Sequence, residues 1–411
     1  MKKIDATLLN LISKGEIPNI YFYGATEMAR LACVGLKTVQ LEPSGIFDQL
    51  FTSSTTYSGI TAYTKDEIHS LDKSSYFFIT CTYLPSISNY LKQLGFKNVY
   101  DCAYLLKLAL QTNLSNADRI ACEMNYDALD STVDIFLRKY NEDLIINSID
   151  MVVTERCTLR CNDCANLMPY FNKPINADLN LLLNSLRNIM SLATRVNELR
   201  VLGGEPFLHR EAHKIIKSCC SYDNVNRVIV YTNATVLPKP CHLESLKHPK
   251  IRVCVTDYGP LSRKLLEMVE SFNREKIHYK VAPLPESWDD SANICKDDRT
   301  DEENQHLFNN CCSKYLYSLL HGKLYRCPFS SSINASKIIS SDPGDYLDVS
   351  GTSNLSVTDL FNFVTSTNYV PSCKFCQGRG KVDGLFKQVS PGRQVKGTRK
   401  PSGFLERVER V

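Results

Sequence analysis

The run Ile149-Asp150-Met151-Val152-Val153-Thr154-Glu155-Arg156-Cys157-Thr158-Leu159-Arg160-Cys161-Asn162-Asp163-Cys164 leads from an apolar stretch into three thiols within eight residues. Ile149 to Val153 reads as a buried strand. On a loop at a strand's C-terminal end, three cysteines can meet at one metal centre. No fourth thiol lies nearby. A cubane iron–sulfur cluster normally takes four thiolates, so three leave one iron open to a small chelating molecule. A structural zinc site takes four closed ligands and here would need a distant cysteine. The stretch alone leaves both open, along with chance in a chain of seventeen cysteines.

Downstream, Val196-Asn197-Glu198-Leu199-Arg200-Val201-Leu202 reads as a second strand ending in Gly203-Gly204-Glu205-Pro206. Between the two strands, Leu179, Leu182, Leu183, Leu186, Ile189 and Met190 recur at helical spacing. A strand–helix–strand unit predicts a parallel pair with a crossover. Paired glycines permit close backbone approach to a ligand, and a glutamate accepts from a ligand ammonium. With its C-x3-C-x2-C loop one crossover upstream of Gly-Gly-Glu-Pro, the chain resembles radical S-adenosylmethionine (SAM) enzymes.

That resemblance implies a [4Fe–4S] cluster on Cys157, Cys161 and Cys164, with SAM chelated at the open iron. It implies that Gly203, Gly204 and Glu205 hold the SAM amino group. Thr232-Asn233 and Asp257 fall where family members touch the ribose or carboxylate of SAM; otherwise they cap strand ends. The family often has an aromatic residue before the third cysteine, packed on adenine. Here it is Asp163, with Tyr170 or Phe171 as candidate substitutes. The implied chemistry is reductive cleavage of SAM to a 5′-deoxyadenosyl radical, which removes hydrogen from a substrate C–H bond. The implied partner is a flavodoxin- or ferredoxin-type electron donor. No side chain is identified as a catalytic base.

At 411 residues, 43% hydrophobic and 22% charged, the composition suits two or three soluble domains. No apolar run reaches the length of a membrane span, and Asp5, Thr7 and Asn10 interrupt any signal-peptide core. A cytoplasmic location is expected, and the many cysteines suit a reducing compartment and metal binding. Residues 378–411 carry nine Lys/Arg and three Asp/Glu against a whole-chain charge of +4. The end of the chain, 381–411, reads as a solvated, partly flexible basic tail. No basic stripe interleaved with aromatics marks the body, so neither nucleic acid nor membrane is an expected partner.

Residues 1–125 alternate strands and helices, predicting a small doubly wound, Rossmann-like sheet. The expected strands are Asn19–Thr26, Thr38–Leu41, Tyr76–Cys81 and one near Val99. Helices are expected over Glu27–Leu36 and Pro85–Leu94, with Gly95 as a stop. At Gly24-Ala25-Thr26, Thr26 and Ala29 replace the second and third glycines of a dinucleotide fingerprint, so NAD is the minority reading. Recognition of a substrate or carrier, or plain scaffolding, is favoured for this domain. A helix over Asp127–Tyr140, within 126–144, reads as a linker.

The catalytic core is expected over 145–290, with further strands at Arg227–Asn233, Ile251–Gly259 and His278–Ala282. By resemblance the fold is α/β: a partial (β/α)6 TIM-like barrel, with functional residues at strand C-termini. His209 reads as structural, and Cys219, Cys220, Cys241 and Cys254 as buried thiols. Over 291–380, Cys311-Cys312, then Gly322, Cys327 and the pair Cys373/Cys376 can close a tetrahedral or cubane site. The pattern resembles the twitch-type auxiliary module. It implies a second [4Fe–4S] cluster on Cys312, Cys327, Cys373 and Cys376, with Cys311 able to replace Cys312; zinc is the chemical alternative. The favoured substrate is a small molecule: a carbohydrate, amino-cyclitol or sugar nucleotide, to be oxidised, epimerised or dehydrated. The rivals are a maturase of ribosomal peptides and a non-catalytic metal scaffold.

Overall fold

Apolar strand runs alternate with amphipathic helices along most of the chain, and in the computed structural model they fold as parallel strand–helix units. The structure describes residues 5–14, 19–48, 51–81, 84–137, 144–285, 287–289, 292–296, 298–311, 313–351, 354–378 and 388–399. The chain divides into two units, Met1–Asn141 and Glu142–Val411.

The first unit holds β1 (Ile20–Tyr23), β2 (Gly45–Phe47), β3 (Thr55–Tyr57), β4 (Ile60–Tyr63), β5 (Tyr76–Ile79) and β6 (Asn98–Asp101). Their order in the sheet is β3-β4-β2-β1-β5-β6. Every neighbouring pair is parallel except β3 with β4. β2 lies on one side of β1 and β5 on the other, so the winding reverses at β1. Phe22, Phe47, Phe77 and Phe78 are fully buried at its centre, each worth about 1.5–3 kcal/mol of burial. The strand expected at Thr38–Leu41 is a turn instead. Thr38 ends the helix Glu27–Lys37, with its N–H and its hydroxyl both donating to Gly35 O; the strand begins at Gly45. The helix Asn116–Leu137 runs through much of the stretch read as a linker.

The second unit is built on β7 (Ile145–Thr154), β8 (Arg195–Gly203), β9 (Val225–Thr232), β10 (Ile251–Asp257) and β11 (Tyr279–Pro283), parallel and in sequence order. Helices Leu179–Leu192, Ala212–Cys220, Pro240–Ser245 and Leu265–Glu275 connect them. Six consecutive units were expected; five run in order. A sixth parallel strand, β13 (Leu316–Leu320), pairs with the far side of β7. Beyond it β14 (Lys323–Tyr325) and β15 (Tyr346–Asp348) continue antiparallel. The stretch read as an auxiliary module thus shares the core's sheet. A short pair, β12 (Trp288–Asp289) with β16 (Gln388–Val389), lies apart.

Period-two alternation divides this sheet's faces. Ile149, Met151, Val153, Leu199 and Val201 join the apolar core that contains Leu186, Ile215 and Phe272 from the helices. The other face carries charge: Arg200 Nε stands 2.7 Å from Asp150 Oδ1, and Arg227 Nη2 2.6 Å from Glu198 Oε2. These are ion pairs largely withdrawn from water, and losing one partner would leave a mostly buried charge.

Candidate active site

Because β7 and β8 are neighbours, their C-terminal ends deliver the cysteine loop and the Gly-Gly-Glu-Pro turn side by side. Gly204 N donates to Thr154 O at 2.8 Å, and Glu205 N to Arg156 O at 2.9 Å. A Cβ on Gly203 would stand 2.2 Å from Thr154 O, and one on Gly204 2.1 Å from Arg156 O. The glycines are required first by the passing cysteine-loop backbone.

A cavity of about 460 Å³ opens at these strand ends. Cys157, Cys161, Cys164, Gly203, Gly204 and Asn233 all line it. Burial, opposed by a hydrogen bond from Leu159, pushes the Cys157 thiol up to about 12; burial pushes Cys161 up to about 11. Thiols so placed become thiolates only beside a compensating cation. N–H groups already face them: Leu159 N donates to Cys157 Sγ at 3.4 Å, Asn233 Nδ2 to the same sulfur at 3.6 Å, and Gln394 Nε2 to Cys161 Sγ at 3.3 Å. A structural thiol does the reverse: Cys122 Sγ donates to Leu106 O. Acceptor sulfurs around a cavity are the donor set that an iron–sulfur cluster takes, so these residues fit that group.

Glu205 lies beneath the cavity, fully buried. Thr232 Oγ1 donates to both its carboxylate oxygens, at 2.9 and 3.0 Å, and Asn233 N to Oε2 at 2.9 Å. Burial raises its pKa to about 7 against these hydrogen bonds. Its carboxylate ties the turn after β8 to the end of β9, and it is absent from the cavity lining. Asp257 is likewise absent from the lining, which takes Thr256 and Tyr258. Alternation on β10 turns Asp257 away, and its Oδ1 accepts from Gly259 N at 2.8 Å. Tyr170 and Phe171 do not line the cavity either; Tyr170 donates to Ala292 O at 2.9 Å.

The aromatic residues on the cavity are Tyr231, Tyr258 and Trp288, the last two edge to face with centroids 6.0 Å apart. Burial, then the three cysteines, drives the Tyr258 hydroxyl well above its usual range. Sequence reasoning missed all three rings. Tyr258 was findable, since the expected strand Ile251–Gly259 puts it two residues from Thr256, although β10 itself ends at Asp257; Trp288 was not, because β12 is only two residues long. Asp163 lines the cavity too, with Oδ1 accepting from Asn162 Nδ2 at 2.7 Å and a buried Oδ2 with no hydrogen-bond partner among the described residues.

The residues 388–399, expected within a solvated tail, instead lie along the cysteine loop. Asn162 N donates to Arg393 O at 2.7 Å and Val395 N to Arg160 O at 2.9 Å. Backbone pairing outcompetes solvation here, because the loop offers an unpaired edge.

Cys311, Cys327, Cys373 and Cys376 border a second, smaller cavity. Cys312 lies outside the described residues. Ser330 N donates to Cys327 Sγ at 3.4 Å, and Gly378 N to Cys376 Sγ at 3.3 Å. Arg299 Nη2 braces the turn through Cys373 O and Cys376 O, at 3.1 and 2.7 Å. These sulfurs also accept N–H groups, and they fit either metal considered above.

His209 is structural: Nδ1 accepts from Glu211 N at 3.0 Å, and Nε2 lies 3.1 Å from Ala177 O. Cys219 and Cys220 are buried as expected, but Cys241 is exposed and Cys254 half-buried. Cys241 lies near His213 and His242, their ligand atoms within 4.8 Å. His242 Nδ1 already accepts from Lys239 N at 3.2 Å, which gives that ring a structural role.

No family model matches the chain. Two curated relatives do: a GTP 3′,8-cyclase from Clostridium acetobutylicum, 32% identical over 98 residues, and one from Lactiplantibacillus plantarum, 26% identical over 99 residues. The matches cover 23% and 24% of this chain and 29% of each relative. Among solved structures, BtrN in complex with AdoMet and 2-DOIA is similar at 16% identity and a TM-score of 0.37, over 57% of this chain and 94% of that one. Streptococcus suis SuiB bound to S-adenosylmethionine is similar at 14% identity and a TM-score of 0.34, over 67% and 81%. Together with the C-x3-C-x2-C loop and the Gly-Gly-Glu-Pro turn, the two cyclase matches identify the chain as a relative of the radical SAM enzymes.

Proposed function

We propose that this protein is a radical SAM enzyme acting on a small, carbohydrate-like molecule. The observation that carries the reading is one cavity bordered by three cysteines, two of them with N–H donors on their sulfurs, and by the Gly203–Gly204 turn. Cys157, Cys161 and Cys164 would hold a [4Fe–4S] cluster, with Gly203, Gly204 and Asn233 beside SAM. When bound, these groups supply one-electron cleavage of SAM to a 5′-deoxyadenosyl radical that removes hydrogen from a substrate C–H bond. The chain's part is to wall off the cavity with Tyr258 and Trp288, hold the sulfurs, and orient the target carbon. Cys327, Cys373, Cys376 and either Cys311 or Cys312 would hold an auxiliary cluster able to accept an electron in an oxidation. A flavodoxin- or ferredoxin-type protein would supply the reducing electron.

The cavity lining favours an amino-cyclitol or amino sugar within the carbohydrate class. Its polar side chains are neutral apart from the cysteines and Asp163, and the described lining holds no Lys or Arg for a pyrophosphate. Asp163 Oδ2, without a hydrogen-bond partner among the described residues, suits an ammonium or hydroxyl group.

Anaerobic reconstitution followed by SAM and dithionite tests the chemistry. Iron near eight per chain, as expected for two cubanes, with 5′-deoxyadenosine formed, supports it; zinc without SAM cleavage supports the scaffold. A panel of amino-cyclitols, amino sugars, sugar nucleotides and peptides tests the substrate. Deuterium transfer from one carbon of an amino-cyclitol or amino sugar into 5′-deoxyadenosine is the expected result. Transfer only from peptides would show a maturase.

A further inference from the structure

We propose that Gln394 is a positioning residue for the cysteine-loop centre: its amide donates to Cys161 Sγ and raises the reduction potential of the cluster held there. This rests on the radical SAM reading of Cys157, Cys161 and Cys164.

The geometry fixes which end of the Gln394 amide meets the sulfur. Arg160 N lies 2.6 Å from Gln394 Oε1, and a backbone N–H can only face an acceptor, so the oxygen must point there. The NH2 end is left facing Cys161 Sγ at 3.3 Å and Gly392 O at 2.6 Å. Flipping the amide would set N–H against N–H and oxygen against carbonyl oxygen. The Arg160 and Gly392 contacts therefore aim the donor at sulfur.

The backbone around Gln394 is held as firmly. Cys161 and Gln394 form an antiparallel bridge, flanked by the Asn162–Arg393 and Val395–Arg160 hydrogen bonds. Further along, Arg160 Nη2 donates to Gly397 O at 2.7 Å and Arg399 N to Pro169 O at 2.8 Å, while the Arg399 guanidinium lies 4.9 Å from the Tyr170 ring centroid. Gly392 makes the entering turn at φ +69, a conformation that favours glycine. The strap crosses the loop that carries the ligands and places one side-chain donor on a ligand sulfur.

An N–H donor to a ligating sulfur draws electron density from the cluster. It stabilises the reduced, more negative state over the oxidised one, which raises the potential. A donor fixed in the fold needs no reorganisation when the electron arrives.

The test is a redox titration followed by electron paramagnetic resonance on the anaerobically reconstituted full chain. The relevant signal is the one that shifts when SAM is added, which separates it from an auxiliary cluster. Gln394→Met keeps the length and removes both the donor and the acceptor; a midpoint more negative than wild type is expected, at unchanged iron content. Gln394→Glu keeps an oxygen for Arg160 N but replaces the donor with a charge, so its midpoint should fall further. A merely structural contact would alter stability without moving the potential. Midpoints equal to wild type in both variants would overturn the proposal, as would cluster loss from both while the chain stays folded. A wild-type chain that takes up no iron would instead overturn the reading on which it rests.

Discussion

The chain leaves β1 through Gly24 and β8 through Gly203, two glycine turns at the C-terminal ends of parallel strands with opposite fates. At Gly24, with φ +114, the turn is filled by the protein itself. Its N–H donates to Phe47 O at 2.8 Å, Ala25 N donates to Asp48 Oδ2 at 2.8 Å, and a Cβ on Gly24 would stand 2.8 Å from Cys81 Cβ. The Asp48 carboxylate thus takes a turn N–H that a phosphate would otherwise use. At Gly203 the turn's N–H groups are also spent on backbone, but the next shell is a cavity and three thiols. In both places glycine answers a packing demand. What makes the second a site is the chemistry of the loop it packs against.

The strongest way to break this contrast is to remove that loop's chemistry. Cys157→Ala should abolish formation of 5′-deoxyadenosine and lower bound iron by about four atoms per chain, read by product assay and iron analysis. Retained cleavage would take the site away from the cavity. Next comes the glycine itself. Gly204→Ala puts a Cβ against Arg156 O and 2.8 Å from Cys157 Cβ. The loop must shift, and misplacement of this size should cost about a hundredfold in SAM cleavage.

Gly24→Ala sharpens the comparison from the other side. The same substitution there strains a positive φ and crowds Cys81, so the first unit should lose about 1–3 kcal/mol of stability in a denaturant titration. SAM cleavage should stay within about twofold, because the site is built in the other unit. A hundredfold loss would show that the first turn serves the reaction too.

Much of this contrast was legible in the chain. The C-x3-C-x2-C loop, the helical spacing of Leu179 to Met190 and the strand runs placed β7 and β8 as neighbours, because local periodicity and crossover handedness decide that pairing. The absent glycines after Gly24 already counted against NAD. Three things were hidden, the last two because they depend on contacts distant in sequence. Thr38–Leu41 looks extended but completes a helix end, where hydroxyl-to-carbonyl bonding overrides β-branched propensity. β13 joins β7 across more than a hundred and sixty residues, and its parallel register cannot be read from either strand alone. The strap at 388–399 looks like a charged tail until the Arg160 and Asn162 backbone groups that it satisfies are known.

The smallest expected effects separate two carboxylates that the chain presents alike, each beside a residue of the site. Asp163 precedes Cys164, lines the cavity and keeps a buried oxygen without a hydrogen-bond partner among the described residues. Asp257 precedes Tyr258 but spends its carboxylate on Gly259 N. Asp163→Asn keeps the shape and removes the charge, so the KM for an aminated substrate should rise about tenfold, equivalent to about 1.4 kcal/mol, with the SAM Kd changed less. Asp257→Asn should move neither constant by more than about twofold, as for a substitution outside the site. If Asp257→Asn instead weakened SAM binding by the larger factor, the alternation argument on β10 would fail, and the cofactor would sit on the face of that strand which here turns away from the cavity.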